Sequence, residues 1–545
     1  EIVAGIKSIP GRRWDKQNKR WELPANVDSY AALERIAREN GTTLSVHPVI
    51  AANMARERDQ LQAAVAIAAH DDGDAAYGHD YVTTPYQHQR AGLAFLQRLG
   101  SGGLFWEMGL GKTKTAIDYC EWLNNQPGAI GRRLRVLVIT PNSVVDNWGR
   151  EIETHAGHKD YVLLRAPMTL LNRSRRLAIK RYSITNTEAM QGGPLAKAIM
   201  AMRWDVLIVD ESQRFKNPKA LRTKSLLKIQ ADYRLILTGT PLTNAPQDLW
   251  SQLTFIRPGV LGTWWHFRQE YLMLDHFGNC VGVRTAKMPD LTQRVASIGY
   301  RRLKREVLDL PEKVYEDRMV DMSTTQKVAY RTMQEELRME MESGDQVVAH
   351  SILTQLLRLA QVTAGLIGHG DTYQWDDTNP KLLELDALLD DLAPRPVVIF
   401  AIFRRELEEL AKRYSPGFPP DLLPIIYGGV LPERRQYLID TFQSGQRRFL
   451  FVQAHSGGIG INLTAAQYAV YYTRGWSLED YLQSQDRLHR IGQRGTVTIL
   501  HMVARGTIDE DIAKALAAKE DLSRRLTGDQ ARALATEALR KWKVT

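Results

Sequence analysis

Met108-Gly109-Leu110-Gly111-Lys112-Thr113 is the stretch from which the rest of the chain can be read. A glycine-rich loop that ends in Gly-Lys-Thr and opens a helix is a phosphate cradle. Its main-chain N–H groups converge on phosphate oxygens, the lysine reaches the outer phosphates, and the threonine hydroxyl takes Mg²⁺. The positive end of the following helix adds to that field. Downstream, Asp205-Val206-Leu207-Ile208-Val209-Asp210-Glu211-Ser212-Gln213 reads as an apolar strand with two carboxylates at its C-terminal end. Farther on lies Gln483-Ser484-Gln485-Asp486-Arg487-Leu488-His489-Arg490-Ile491-Gly492-Gln493. Lysine, paired acids and paired arginines in that order imply a two-lobed nucleic-acid motor.

The length, 545 residues, suits two or three domains. An apolar content of 44% with 25% charged residues excludes a disordered or fibrous chain. The net charge of +10 is concentrated in Arg132-Arg133-Leu134-Arg135, Arg173-Ser174-Arg175-Arg176, Lys180-Arg181 and Arg301-Arg302-Leu303-Lys304-Arg305. Clusters of this kind are the usual footprint of phosphate binding. Two cysteines, Cys120 and Cys280, give neither a disulfide framework nor a zinc cluster and suit a reducing setting. Residues 1–14 lack a secretory pattern. The long uncharged stretch 449–473 contains His455, Asn462, Gln467 and several glycines, so it reads as strand, loop and strand, not as a membrane span. A cytoplasmic or nucleoid-associated protein is expected.

Three regions follow. Residues 1–75 read as a small basic unit in which Arg12-Arg13-Trp14-Asp15 and Arg20-Trp21-Glu22-Leu23 flank a turn at 16–19, predicting a hairpin. Asp28 is expected to cap a helix ended by Asn40-Gly41, and a second helix fills 50–69. The hairpin tryptophans either pack on the helix or face nucleic acid. A linker covers 70–78. Residues 79–310 alternate helices with apolar runs at 135–140, 206–209 and 235–237, a pattern of parallel strands buried on both faces. The span 263–364 is expected to be mostly helical, with Trp264, Trp265 and Phe267 as packing residues. Strands return within 311–525 at 397–400, 449–452, 468–472 and 497–503, without a second Gly-Lys-Thr loop, and 526–545 reads as a basic tail.

Over residues 83–520 these motifs resemble the superfamily 2 helicase-like ATPases, specifically the Snf2 group of double-stranded DNA translocases. Gln89 is similar to the adenine-reading Q motif, 107–113 to motif I, Thr140-Pro141 to motif Ia and 184–188 to motif Ib. Residues 210–213 match motif II, and Leu237-Thr238-Gly239-Thr240-Pro241 motif III. Tyr427-Gly428-Gly429 and 456–463 match motifs IV and V, and 483–493 motif VI. Ile9-Pro10-Gly11-Arg12-Arg13-Trp14-Asp15 with Trp21-Glu22-Leu23-Pro24 resembles the HARP module of annealing helicases. The resemblance implies an α/β fold of two RecA-like parallel-sheet lobes with helical insertions, preceded by a small α+β HARP-like domain. Three positions depart from the family: Trp106 stands for Asp at the entry to the loop, Gln213 for the His of motif II, and Arg474-Gly475-Trp476 for the Trp-Asn-Pro before motif VI.

The resemblance also implies ATP and Mg²⁺ as cofactors. Gly109, Gly111 and Lys112 would hold phosphates, with Gln89, Gly460 and Gln483 completing the ATP site. Thr113 and Asp210 would serve Mg²⁺. Glu211 would orient the attacking water and accept its proton. Arg487 and Arg490, three apart and on one face if their segment is helical, would be arginine fingers. Arg12, Arg13, Trp14, Trp21, Pro141, Thr238, Gly457, Gly458 and Trp476 are the implied DNA contacts, with a core tryptophan as the other reading of Trp476. The expected protein is a monomer acting on double-stranded and branched DNA, with a single-strand-binding protein or replisome component as partner and no membrane. Strand annealing or fork regression is its expected output. A strand-separating helicase, a protein–DNA complex remodeller and a nucleotide-gated DNA clamp are the alternatives.

Overall fold

Val206, Leu207, Ile208 and Val209 have no solvent exposure. Four consecutive residues can all be buried only in a strand covered on both faces. They lie in Arg203–Asp210, at the centre of a sheet of seven parallel strands. In spatial order these are Gly299–Arg302, Gly102–Trp106, Gln230–Leu237, Arg203–Asp210, Val136–Thr140, Tyr182–Asn186 and Tyr161–Leu164. The computed structural model describes residues 1–9, 12–24, 26–70, 81–126, 132–165, 168–239, 241, 246–276, 280–342, 349–368, 374–419, 422–455, 461–490 and 492–527. Pro10, Gly11, Thr240, Gly457, Gly458, Gly460, nearly all of the expected linker and the tail from 528 lie outside the described residues.

The chain forms two units, Glu1–Val307 with Asp521–Thr545, and Leu308–Glu520. The second unit holds six parallel strands in the order Lys313–Val320, Val497–Ala504, Tyr468–Tyr471, Val397–Ala401, Phe449–Gln453 and Ile425–Ile426. Alternate residues serve separate cores: Val397 and Ile399 pack on one face, Val398 and Phe400 on the other. The expected pair of parallel-sheet α/β lobes is therefore present. Among the described residues no helix is long and apolar enough to cross a membrane.

In the first unit, Arg13–Asp15 and Arg20–Glu22 form the expected hairpin. Trp14 and Trp21 pair across it with ring centroids 5.0 Å apart, packing on each other, and Trp14 keeps 43% exposure. Asp28 does not cap the next helix. Asn26 does, accepting from the Ser29 N–H, and the helix runs Val27–Glu39. Asp28, one residue inside, instead pairs with Arg257 at 2.9 Å. Arg257 also grips Glu57 at 2.6 Å, on the helix Pro48–His70. That helix buries Leu61 in the core of the first unit, and its Ala68 carbonyl accepts from Arg302 at 3.0 Å.

The span 263–364 is mostly helical among the described residues, as expected, but it also gives each sheet an edge strand. Gly299–Arg302 is an edge strand of the first sheet and Lys313–Val320 an edge strand of the second. Trp265 is 71% exposed, whereas Phe267 is buried and Trp264 packs beside it. The basic run 301–305 is not a phosphate footprint as a whole, since Arg302 and Lys304 are buried. The Arg302 guanidinium lies 4.4 Å from the Tyr300 ring centroid.

Candidate nucleotide site

Three neighbouring strands of the first sheet, Gly102–Trp106, Gln230–Leu237 and Arg203–Asp210, end on one edge and deliver Lys112, Thr238 and Asp210 there. Ligands of open parallel sheets bind at such strand ends. Gly109 and Gly111 adopt φ of +84° and +81°, a conformation that favours glycine. The helix Lys112–Asn124 starts directly after Gly111, which offers no side-chain cap to its first N–H groups. Thr113 sits half-buried in that first turn. Lys112 is buried, and its Nζ donates to the carbonyls of Trp106 at 2.7 Å and Glu107 at 3.3 Å.

Gln89 is held against the loop. Its Nε2 donates to the Leu110 carbonyl at 3.2 Å and its Oε1 accepts from the Tyr86 N–H at 3.0 Å. His88 Nε2 meets the same carbonyl at 2.9 Å. Trp106 has no exposure and packs edge-on against Tyr300. A Cβ at residue 92 would collide with its ring, so Gly92 is what admits an indole beneath the loop. The departure at this position thus changes the packing behind the loop and leaves the glycines and Lys112 in place.

Asp210 is fully buried at its strand end. Its Oδ2 accepts from Thr140 Oγ1 at 3.0 Å and Trp148 Nε1 at 2.9 Å, and its Oδ1 from the Glu211 N–H at 3.0 Å. Burial, then the adjacent Glu211, raises its pKa to about 6, against the lowering influence of its hydrogen bonds and Lys112. Glu211 has φ of +49°, rare for a residue with a side chain. Its Oε2 accepts from Gln213 Nε2 at 2.7 Å, and Gln213 Oε1 accepts from Thr238 Oγ1 at 2.8 Å. Glutamine therefore spans from the second acid to the end of the next strand. Thr238 is buried with its hydroxyl turned to Gln213, so it serves this link and is no DNA-facing surface. Pro141 is likewise buried, while Asn142 and Ser143 beside it are exposed.

An uncapped helix N-terminus, a lysine amine and a buried carboxylate fit a nucleotide phosphate with a divalent cation. Sequence reasoning missed Trp148, which donates to Asp210 from the helix Val145–Ala156, His88, which meets the Leu110 carbonyl beside Gln89, and Gln252, which accepts from the Ser212 hydroxyl.

In the second unit, Arg487 and Arg490 are not on a helix. The helix Leu478–Gln485 ends first, and both arginines occupy the turns beyond it. Arg487 is buried and Arg490 half-buried. Gln483 is buried, with Nε2 donating to Glu479 at 3.3 Å. Gln493 Nε2 donates to the Ala466 carbonyl at 2.9 Å, tying the end of this segment to the loop before Tyr468–Tyr471. Trp476 is half-buried against a cluster that includes Tyr330 and Leu359. At the hairpin, Arg12 Nη1 donates to the Ile9 carbonyl at 3.2 Å and Arg13 is exposed.

The SNF2-related domain matches residues 88–365 and the helicase conserved C-terminal domain residues 380–492. Chromodomain-helicase-DNA-binding protein 1 of Homo sapiens is 29% identical over 440 residues, covering 74% of this chain and 24% of that protein. The ISWI chromatin-remodeling complex ATPase CHR11 of Arabidopsis thaliana is 29% identical over 454 residues, covering 78% of this chain and 41% of that protein. The chain thus spans less than half the length of either curated relative. A solved Sulfolobus solfataricus SWI2/SNF2 ATPase core in complex with dsDNA is 24% identical and covers 85% of this chain and 98% of its own, with a TM-score of 0.41.

Proposed function

This chain belongs to the SNF2-related family of helicase-like ATPases, and from that premise we propose that it is an ATP-driven double-stranded DNA translocase that remodels branched DNA. The observation that carries the reading is the hydrogen-bonded series Glu211–Gln213–Thr238 beside the Lys112 loop. It gives the acid that would activate water a mechanical connection to the neighbouring strand end.

Phosphoryl transfer to water depends on positioning and charge neutralisation. Lys112 would leave the Trp106 and Glu107 carbonyls for the β- and γ-phosphates, and the first N–H groups of its helix would take phosphate oxygens. Thr113 and Asp210 would hold Mg²⁺, which when bound screens phosphate charge. Glu211 would accept the proton of the attacking water. Arg487 and Arg490 would supply transition-state charge from the second unit. Arg12, Arg13, Trp14 and Trp21 would give branched DNA a basic and aromatic surface. The chain would act as a monomer, with a single-strand-binding protein or replisome component as partner.

ATP turnover measured side by side with single-stranded, duplex and forked DNA tests the proposal. Duplex is expected to stimulate, and turnover unchanged by any DNA would end it. A second reading, remodelling of protein–DNA complexes, is favoured by the relative named as a chromatin-remodeling complex ATPase. Displacement of a DNA-bound protein without fork regression would select it.

A further inference from the structure

We propose that Gln252 is a positioning residue for ATP hydrolysis, fixing the backbone on the far side of Glu211; this rests on the proposed function. Gln252 lies within the helix Asp248–Ile256 and is buried, as is Ser212. Its Nε2 donates to the Pro241 carbonyl at 2.7 Å and to the Asp248 carbonyl at 2.9 Å. Two carbonyls on one side require the amide nitrogen there, so Oε1 faces Ser212 and accepts its hydroxyl at 2.6 Å. One side chain thus joins the residue after Glu211 to the segment that follows Thr238.

The need for such a brace comes from Glu211 itself. Its left-handed backbone is disfavoured and persists only where surrounding bonds over-determine it. On one side the Glu211 N–H donates to the Leu237 carbonyl at 2.8 Å and to Asp210. On the other, the Ser212 hydroxyl is anchored by Gln252. The same helix reinforces this side: Ser251 Oγ donates to the Lys216 carbonyl at 3.1 Å, and Lys216 pairs with Asp248 at 3.6 Å. Releasing Ser212 would let the Glu211 peptide relax, turning the carboxylate away from an attacking water while leaving the Lys112 loop untouched.

The test uses the full chain with duplex DNA. ATP turnover, binding of a fluorescent ATP analogue and thermal melting are compared for wild type, Gln252→Leu, Ser212→Ala and the double variant. Each single variant is expected to lose about 10–100-fold in kcat, with KM and analogue affinity within about 3-fold of wild type. The double variant should be no worse than the poorer single one, because the Ser212–Gln252 bond is already lost in each. Should Gln252→Leu fail to fold, Ser212→Ala carries the test alone. Unchanged kcat, additive losses, or kcat and analogue binding lost together would each overturn the assignment. If wild type itself turns over no ATP, the proposed function fails and this inference falls with it; active wild type beside unaffected variants sinks this inference only.

Discussion

Gln213 donates its side-chain N–H to the Glu211 carboxylate at 2.7 Å. The other end of the same amide accepts from Thr238, so a donor and an acceptor are both required at position 213. Gln213→Leu supplies neither and is expected to lower duplex-stimulated turnover about tenfold or more, in line with the roughly 1–3 kcal/mol lost when a buried polar group is stranded. Gln213→His in its neutral form supplies both. It should keep turnover within about 3-fold at pH 8 and show an added loss below about pH 6.5, where imidazolium can no longer accept. Turnover ratios with and without duplex across pH check both variants.

Glu211→Gln keeps the shape of the side chain and removes the base. Analogue binding should persist while turnover falls by roughly 10²–10⁴-fold. Asp210 adds a pH dependence of defined sign. Its pKa is raised to about 6, so below that pH the protonated form dominates and cannot hold a cation. Activity at low Mg²⁺ should decline as pH drops through 6, and saturating Mg²⁺ should move the decline to lower pH, because the cation favours the ionised acid. A pH–rate profile at two Mg²⁺ concentrations measures the displacement.

Glu406 contributes a pH dependence of defined sign to the stability of the second unit. It is fully buried, accepts from Thr473 at 2.9 Å, and burial raises its pKa from 4.5 to about 8. The folded state then keeps a proton that the unfolded chain has released. Stability should fall as pH rises from about 4.5 to about 8 and level off above. Glu406→Gln, neutral throughout, should flatten that slope and melt a few degrees higher at about pH 9. Melting curves across the range would expose a missing difference.

Arg487→Ala and Arg490→Ala should leave analogue binding within about 3-fold and reduce turnover by about 10³-fold or more, the scale of an arginine finger. Arg487 is buried, so its truncation should also lower the melting temperature, whereas Arg490→Ala should not. Calorimetry beside kinetics separates the two effects.

Removing residues 1–75 takes away Leu61 and the Ala68 carbonyl that holds Arg302, and leaves Arg257 without Asp28 and Glu57. That truncation is expected to destabilise the first unit. Arg12→Ala with Arg13→Ala disturbs none of these contacts. It should spare duplex-stimulated turnover, weaken fork binding and flatten its salt dependence. Fork affinity at several salt concentrations gives the answer.

The central strands were legible because both faces are buried, which leaves runs such as Val206 to Val209 with no other home. Edge strands were not. Lys313–Val320 buries only Val320 fully, so its polar sequence carries no strand signature, and the pairing with Val497–Ala504 fixes it. The loop, the two acids and the arginines were readable as local patterns. Their supports were not, because each is a contact between distant segments: Trp148 with Asp210 across 62 positions, Gln252 with Ser212 across 40, Gly92 with Trp106. The helix start was missed by two residues because Asn26 and Asp28 are equally good caps in isolation, and Arg257 claims Asp28.

The order of the seven-stranded sheet bears on how this protein emerges from the ribosome. Gly102–Trp106, the first strand made, lies between Gln230–Leu237 and Gly299–Arg302, the last two. Until about 200 further residues have been synthesised, the strand that leads into the Lys112 loop has one edge without its partner. Nascent chains that end before Gly299 should therefore expose an apolar strand edge and depend on chaperones.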